Sequence, residues 1–434
     1  MNQEFKNRRQ KLYAEIGKDV IVILASAKEY VVNGGLTSPY RQTGDFYYLT
    51  GITEPDTIAV FIPNRPEGEF LLFNRQADQT QETWTGKMTG QEGACTIYGA
   101  DQAFPIQEVD NLLPDLILGK RHLYFAIGQD TEFDIKIIQW LTNARKKTRT
   151  GLNAPDDFSH IGKITHEMRL LNSPYEINLM RKSAKIAEIG HLRAMQACKP
   201  NMFEYELEAE LNYEYLRHGG KLAFEPIVAG GVNACTLHYM QKNSQLKDGD
   251  LVLVDSGVDY QYYNSDITRT FPIGKKFNAA QHVIYQAVLD TQLEVIKKIR
   301  PGTRWCELQE TSEHVITEAL LKLGILEGTL TDLITSQKFK TFYPHRIGHW
   351  LGLECHDVGK YAFNKEWRIL EPGMTFTVEP GIYIPAHTPN VDRKWWNIGV
   401  RIEDDILVTA NGCEVLTDEL PKTIKDIEET RSSA

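Results

Sequence analysis

No hydrophobic run in the sequence approaches the roughly 20 residues needed to cross a bilayer. The most apolar early stretch, Val20 to Ala25, is short, and its β-branched content predicts a buried strand. Positive charge is not in excess either: 48 basic against 58 acidic side chains leave a net −10, with no basic run longer than fragments such as Arg145-Lys146-Lys147. That excludes the electrostatic footprint of a phosphate backbone or an anionic lipid surface, so neither nucleic acid nor membrane is an expected partner. Cysteine is sparse. Cys95, Cys198, Cys235, Cys306, Cys355 and Cys413 are scattered without a C-x-x-C pair, which fits neither a disulfide framework nor a thiolate zinc site and reads as reduced thiols in a cytoplasmic protein. The polar opening segment lacks the apolar core of a signal peptide. Internal repeats and low-complexity segments are also missing.

What is present is an ordinary globular composition in a chain of 434 residues, longer than one core usually serves, so two domains are expected. The clearest boundary is Asn172-Ser173-Pro174-Tyr175-Glu176, where Ser173 can cap a helix, Pro174 suits its first turn and Glu176 completes a capping box. Residues 1–172 alternate strand-like and helix-like segments, as an α/β domain does. Residues 173–434 read as α+β: strands at 251–254, 262–271, 375–378 and 400–408, and helices around 278–299 and 306–323. The charged segment after Pro421 reads as a solvated end.

Carboxylates at strand ends mark the chemistry. Asp255 ends one strand and Asp266 lies in its return; a turn about the Tyr260–Gln261 bond would set them opposite each other on one face. Two like charges so placed repel unless a cation sits between them. Glu379 follows Thr377-Val378, and Glu403 follows Val400-Arg401-Ile402, with Arg401 and Glu403 pointing to one side. His345, His349 and His356 cluster among glycines. Four carboxylates and a histidine suit hard or borderline ions such as Mn²⁺, and a charge of −4 is neutralised by two divalent ions rather than one. His238, alone in Thr236-Leu237-His238-Tyr239, reads from composition as structural.

The motifs Leu237-His-Tyr, Val254-Asp-Ser-Gly, Ser265-Asp-Ile-Thr-Arg-Thr, Gly348-His-Trp-Leu-Gly-Leu with His356-Asp357, Val378-Glu-Pro-Gly-Ile-Tyr383 and Val400-Arg-Ile-Glu-Asp-Asp, in this order, resemble Xaa-Pro aminopeptidase (aminopeptidase P). Tyr40 to Gly51 and His166-Glu-Met-Arg extend the likeness to nearly the whole chain. The resemblance implies a pita-bread catalytic domain behind a smaller creatinase-like N-terminal domain. It implies Asp255, Asp266, His349, Glu379 and Glu403 as ligands of two divalent ions, usually manganese, with cobalt or zinc as substitutes. His238, His345 and His356 match histidines that contact substrate or stabilise intermediates, which replaces the structural reading of His238. Tyr383 and Arg401 match residues bonded around the metal carboxylates. The activity implied is release of the N-terminal residue from peptides with proline second, by a hydroxide bridging the two ions, with Glu379 shuttling a proton. A dipeptide-specific prolidase is the alternative, and a metal-free binding module or a creatinase-type hydrolase lies further off. Trp84 resembles a position near subunit contacts, implying a homodimer or homotetramer. One departure is local: Arg346-Ile-Gly separates His345 from His349 where a smaller residue and serine are common.

Overall fold

The computed structural model describes every residue except Met1, Thr148, Thr150 and Ala434. The chain divides into units of residues 1–168 and 169–434. In the first, Val20–Ala25 is the buried strand its β-branched residues predict. It pairs antiparallel with Ile58–Phe61 and parallel with His122–Phe125, inside a six-stranded mixed sheet. His122–Phe125 and the parallel Asp157–His160 are joined by the helix Thr131–Lys146, the crossover such a pair requires. Asp130 caps that helix, and Ile137 and Trp140 from it pack on Ile21, Ile23 and Phe73 of the sheet.

The second unit begins with the long helix Pro174–Ala197, closed at its start by the reciprocal Ser173 and Glu176 capping box. Leu251–Ser256 runs between Ile227–Gly230 and Ile267–Pro272, antiparallel to both. The hairpin differs from the expected one. Its turn is Gln261-Tyr262, both with positive φ (52° and 74°), and Asp255 faces Thr268 rather than Asp266. Two consecutive residues in the left-handed region make the tight hairpin turn whose twist matches the strands. The slip is two residues, so it preserves the face: Asp266 is the diagonal neighbour of Asp255. Gly257 lets the kink form, because a Cβ there would lie 1.8 Å from the Ser265 carbonyl oxygen.

The expected strand at 400–408 is two strands, Ile398–Arg401 and Asp404–Thr409, pairing with Gly381–Ile384 and Thr375–Val378 respectively. Glu379-Pro380 and Ile402-Glu403 fill the gap between them, since proline has no N–H for the ladder. Register is continuous across it: Val378 faces Asp404 and Gly381 faces Arg401, both sums being 782, so Glu379 faces Glu403. The directly opposed carboxylates are therefore these two. Helix Ala279–Lys298 packs on these strands, and Trp305–Lys322 packs on that helix.

The segment after Pro421 is not a solvated end. Ile424–Ser432 is a helix with Ile427 fully buried. Arg431 donates to the backbone carbonyls of Met195, Cys198, Pro272 and Ile273. Ile427 and Arg431, at i and i+4, share the inward face that its charge density hides in the sequence.

Candidate active site

The sheet geometry delivers the acidic side chains to one place. Asp255 sits near the end of its strand, Asp266 in the break before Ile267, and Glu379 and Glu403 in the partner gap just described. Backbone bonds hold each break. The Asp266 N–H donates to both oxygens of Asp405 at 3.2 Å, Glu403 N–H to Thr268 O at 3.0 Å, and Glu379 N–H to Ile347 O at 2.8 Å. Gly348 is required beside His349, because a Cβ would lie 1.9 Å from the Thr377 carbonyl oxygen. That closeness allows the Thr377 N–H to reach His349 O at 2.9 Å.

His349 Nδ1 bonds the Trp350 carbonyl at 3.0 Å, so that nitrogen carries the hydrogen and Nε2 is turned to the carboxylates. Nε2 lies 3.5 Å from Asp266 and 3.9 Å from Glu379. Asp266, His349 and Glu403 each offer a donor atom within 4.8 Å of the others, a spacing that can hold a metal ion. Thr268 donates to Glu403 Oε2 at 2.7 Å, leaving its other oxygen for a ligand. Asp255 bonds Arg401 through Oδ2 at 2.6 Å, while its buried Oδ1 has no partner. An orphaned carboxylate oxygen facing three further acidic groups is what a cation site looks like before the cation is counted.

Electrostatics agrees. Burial raises the Asp255 carboxyl to about 7 against the pull of Arg401. Burial also raises Glu379, and with repulsion from Asp266 it lifts Glu403 well above the usual carboxylate range. At Asp266 burial acts upward too, but His349 outweighs it and holds the group low. The same contact overcomes burial at His349 and raises it to about 9. Four acids this close cannot all ionise without compensation.

The remaining candidates line the same cavity of about 950 Å³. His238, His345, His356 and Arg401 are on its wall, with Phe224, Trp305, Tyr361 and Trp367 supplying apolar surface. Arg401 also donates to the Tyr383 hydroxyl at 2.9 Å, and that hydroxyl meets His345 Nε2 at 2.8 Å. Tyr383 reaches the site through these two bonds and an edge contact of its ring with His345. His356 packs against His349 with ring centroids 4.1 Å apart and the planes tilted by 53°. Burial lowers His345 to about 3, and it lowers His356 as well.

Several contributors were not singled out from the sequence. Cys355, one of the scattered thiols, donates to Asp266 Oδ2 at 3.0 Å. Gln309 on the Trp305–Lys322 helix accepts from the Ile347 N–H at 2.8 Å and so ties that helix to the histidine segment. Arg269 and Asp404, both fully buried, pair at 2.7 Å, and Arg269 also donates to Glu403 O at 2.6 Å. A buried arginine inside a strand pattern was the available signal. None of the six cysteines is disulfide-bonded, and among the described residues no helix is long and apolar enough to cross a membrane.

Comparison with known proteins points the same way. Residues 178–410 match metallopeptidase family M24, and residues 5–124 match the aminopeptidase P N-terminal domain. The chain is 40% identical to the Xaa-Pro aminopeptidase of Escherichia coli K12, over 98% of this chain and 97% of that protein. It is 31% identical to human Xaa-Pro aminopeptidase 3, over 99% of this chain and 86% of that one. Among solved structures, Pseudomonas aeruginosa aminopeptidase PepP superposes with a TM-score of 0.98 at 45% identity, covering 100% of this chain and 98% of that one. A glutamate-to-alanine variant of E. coli aminopeptidase P in complex with substrate gives 0.96 at 39% identity, with coverage of 100% and 98%. The expected two-domain architecture, a creatinase-like domain before a pita-bread domain, is thereby borne out. By sequence, fold and site geometry together, the chain belongs to the M24 metallopeptidases, in the branch that carries the aminopeptidase P N-terminal domain.

Proposed function

We propose that the protein is an Xaa-Pro aminopeptidase that holds two divalent ions, manganese foremost, through Asp255, Asp266, His349, Glu379 and Glu403. The observation that carries this reading is the convergence of the buried Asp255, Asp266 and Glu403, the half-buried Glu379 and the His349 imidazole on one cavity wall, with the buried Asp255 Oδ1 left unpaired. The donors are oxygen-rich with a single imidazole, which suits manganese and related ions. When bound, such ions polarise a scissile carbonyl and make hydroxide available near neutral pH.

The protein's own groups do the rest. Arg401 holds Asp255 in place and offsets one negative charge. Glu379, raised by burial, is suited to carry a proton to the departing proline nitrogen. His238 and His356 stand on the cavity wall where they can orient the substrate carbonyl. The acidic lining attracts a free α-amine, which accounts for exopeptidase action. An Xaa–Pro amide has no N–H, so a site that asks for none selects it against ordinary peptide bonds. Trp84, 85% exposed, supports assembly into a homodimer or homotetramer, and the six free thiols support a cytoplasmic setting.

Hydrolysis of Xaa-Pro and Xaa-Pro-Xaa peptides, with and without Mn²⁺, tests the reading. Cleavage of the tripeptides that depends on metal is expected; activity confined to dipeptides would overturn it in favour of a prolidase.

A further inference from the structure

The cavity wall carries charged groups beyond those clustered around His349. The wall carries Glu225, Glu310 and Glu313 in addition to the four clustered carboxylates, and two arginines, Arg401 and Arg346. Arg401 is committed to Asp255, Tyr383 and Thr268. Arg346 is exposed, and among the described residues its guanidinium has neither an ion-pair nor a hydrogen-bond partner. Glu225 is occupied by Lys242, and Glu313 accepts from Gln309 at 2.9 Å.

The backbone carrying Arg346 is fixed on both sides. His345 is held by Tyr383, and Ile347 is bonded through its N–H to Gln309 and through its carbonyl to Glu379. Arg346 therefore projects from a rigid edge three residues from His349, at most about 11 Å along the chain. A tripeptide with its amine at the carboxylate cluster extends over the same roughly 11 Å to its terminal carboxylate. Without a cation there, the acidic wall would repel that carboxylate.

We propose that Arg346 binds a carboxylate of the substrate, so that this site favours short Xaa-Pro peptides whose negative group follows the proline closely. The proposal rests on the aminopeptidase reading and adds the substrate class to it. Guanidinium binds a carboxylate in a two-pronged geometry that lysine cannot copy. Because Arg346 is exposed, the effect expected is about fivefold, the scale of an exposed ion pair, and it weakens with salt.

The test measures kcat/KM on three peptides: Ala-Pro-Ala, its C-terminal amide, and the amide of Ala-Pro-Glu. Wild type is expected to favour the free acid over its amide by about fivefold, with the ratio falling toward one in high salt. Arg346→Gln should bring the ratio to one, and Arg346→Lys should restore part of it. A preference for the Ala-Pro-Glu amide over the Ala-Pro-Ala amide, lost in the glutamine variant, would identify a side-chain carboxylate as a source as well. Equal rates on acid and amide in wild type, or a ratio retained in Arg346→Gln, would overturn the proposal. Failure to cleave any of the three would instead overturn the aminopeptidase reading, and this proposal with it.

Discussion

Metal affinity in this protein should depend steeply on pH through the physiological range, where ordinary carboxylates are already fully ionised. The perturbation is a drop from pH 7.5 to pH 5.5. A ligand must shed its proton before it binds a cation, so affinity falls by the increase in its protonated population. For Asp255, raised to about 7 by burial, the term is about 33 at the lower pH and about 1.3 at the higher, a weakening of about 25-fold or about 1.9 kcal/mol. His349, raised to about 9 by its acidic contacts against burial, adds up to about tenfold per pH unit. The sign is fixed: both groups are more protonated at low pH in the metal-free protein, so acid weakens binding. Calorimetric titration of the metal-free protein with Mn²⁺, repeated in buffers of different ionisation enthalpy, reads both affinity and protons released. A weakening of at least about 25-fold, with proton release, is expected. Less than about threefold change with no proton release would refute the assignment of these groups as buried, protonated ligands.

Other predictions concern the supports. Asp255→Ala, Asp266→Ala and Glu403→Ala should each abolish hydrolysis and the thermal stabilisation by Mn²⁺; wild-type rates in any of them would remove that residue from the site. His238→Ala should lower turnover while leaving metal content, measured by elemental analysis, near normal. Arg401→Met strands the buried Asp255 charge and should cost about 3 kcal/mol in denaturant unfolding of the metal-free protein; unchanged stability would show that the pair contributes nothing. Arg431→Ala, or truncation after Pro421, should destabilise by about 2 kcal/mol or more through orphaned carbonyls, whereas a solvated tail predicts no change. His191 is fully buried and lowered by burial to about 4. The unfolded chain takes up the proton first, so stability should fall as pH drops from about 6.5 toward 4, by up to about 3 kcal/mol. His191→Gln should remove that part of the slope.

Much of this was legible because the motifs are local. Ser173 and Glu176 satisfy each other within one turn, and the Val20–Ala25 run needs no distant partner to be a strand. Pairing was harder. The hairpin turn lies one residue from where symmetry of the flanking segments suggests, because it is set by which residues accept positive φ, and Gln261 and Tyr262 are poor signals for that. The break at Glu379-Pro380 and Ile402-Glu403 interrupts a pairing whose register continues on both sides, which is a property of two segments and not of either one. Arg431 looks like surface charge until the carbonyls it serves are brought in from residues more than 150 positions away.

The bonds from Arg401 through Tyr383 to His345 run in one direction only. Guanidinium has hydrogens and no acceptor, so the Tyr383 oxygen accepts from it, and the neutral His345 ring, whose Nδ1 faces a carbonyl, takes the Tyr383 hydrogen at Nε2. His345 Nδ1, 2.8 Å from the Arg346 carbonyl, must then carry the ring's hydrogen. The tautomer is thus written into the architecture, and with burial lowering His345 to about 3 this wall of the cavity keeps a neutral imidazole across the physiological range. Tyr383→Phe would cut the link to Arg401 and remove the donor to Nε2, leaving the Arg346 carbonyl alone to hold the Nδ1 hydrogen.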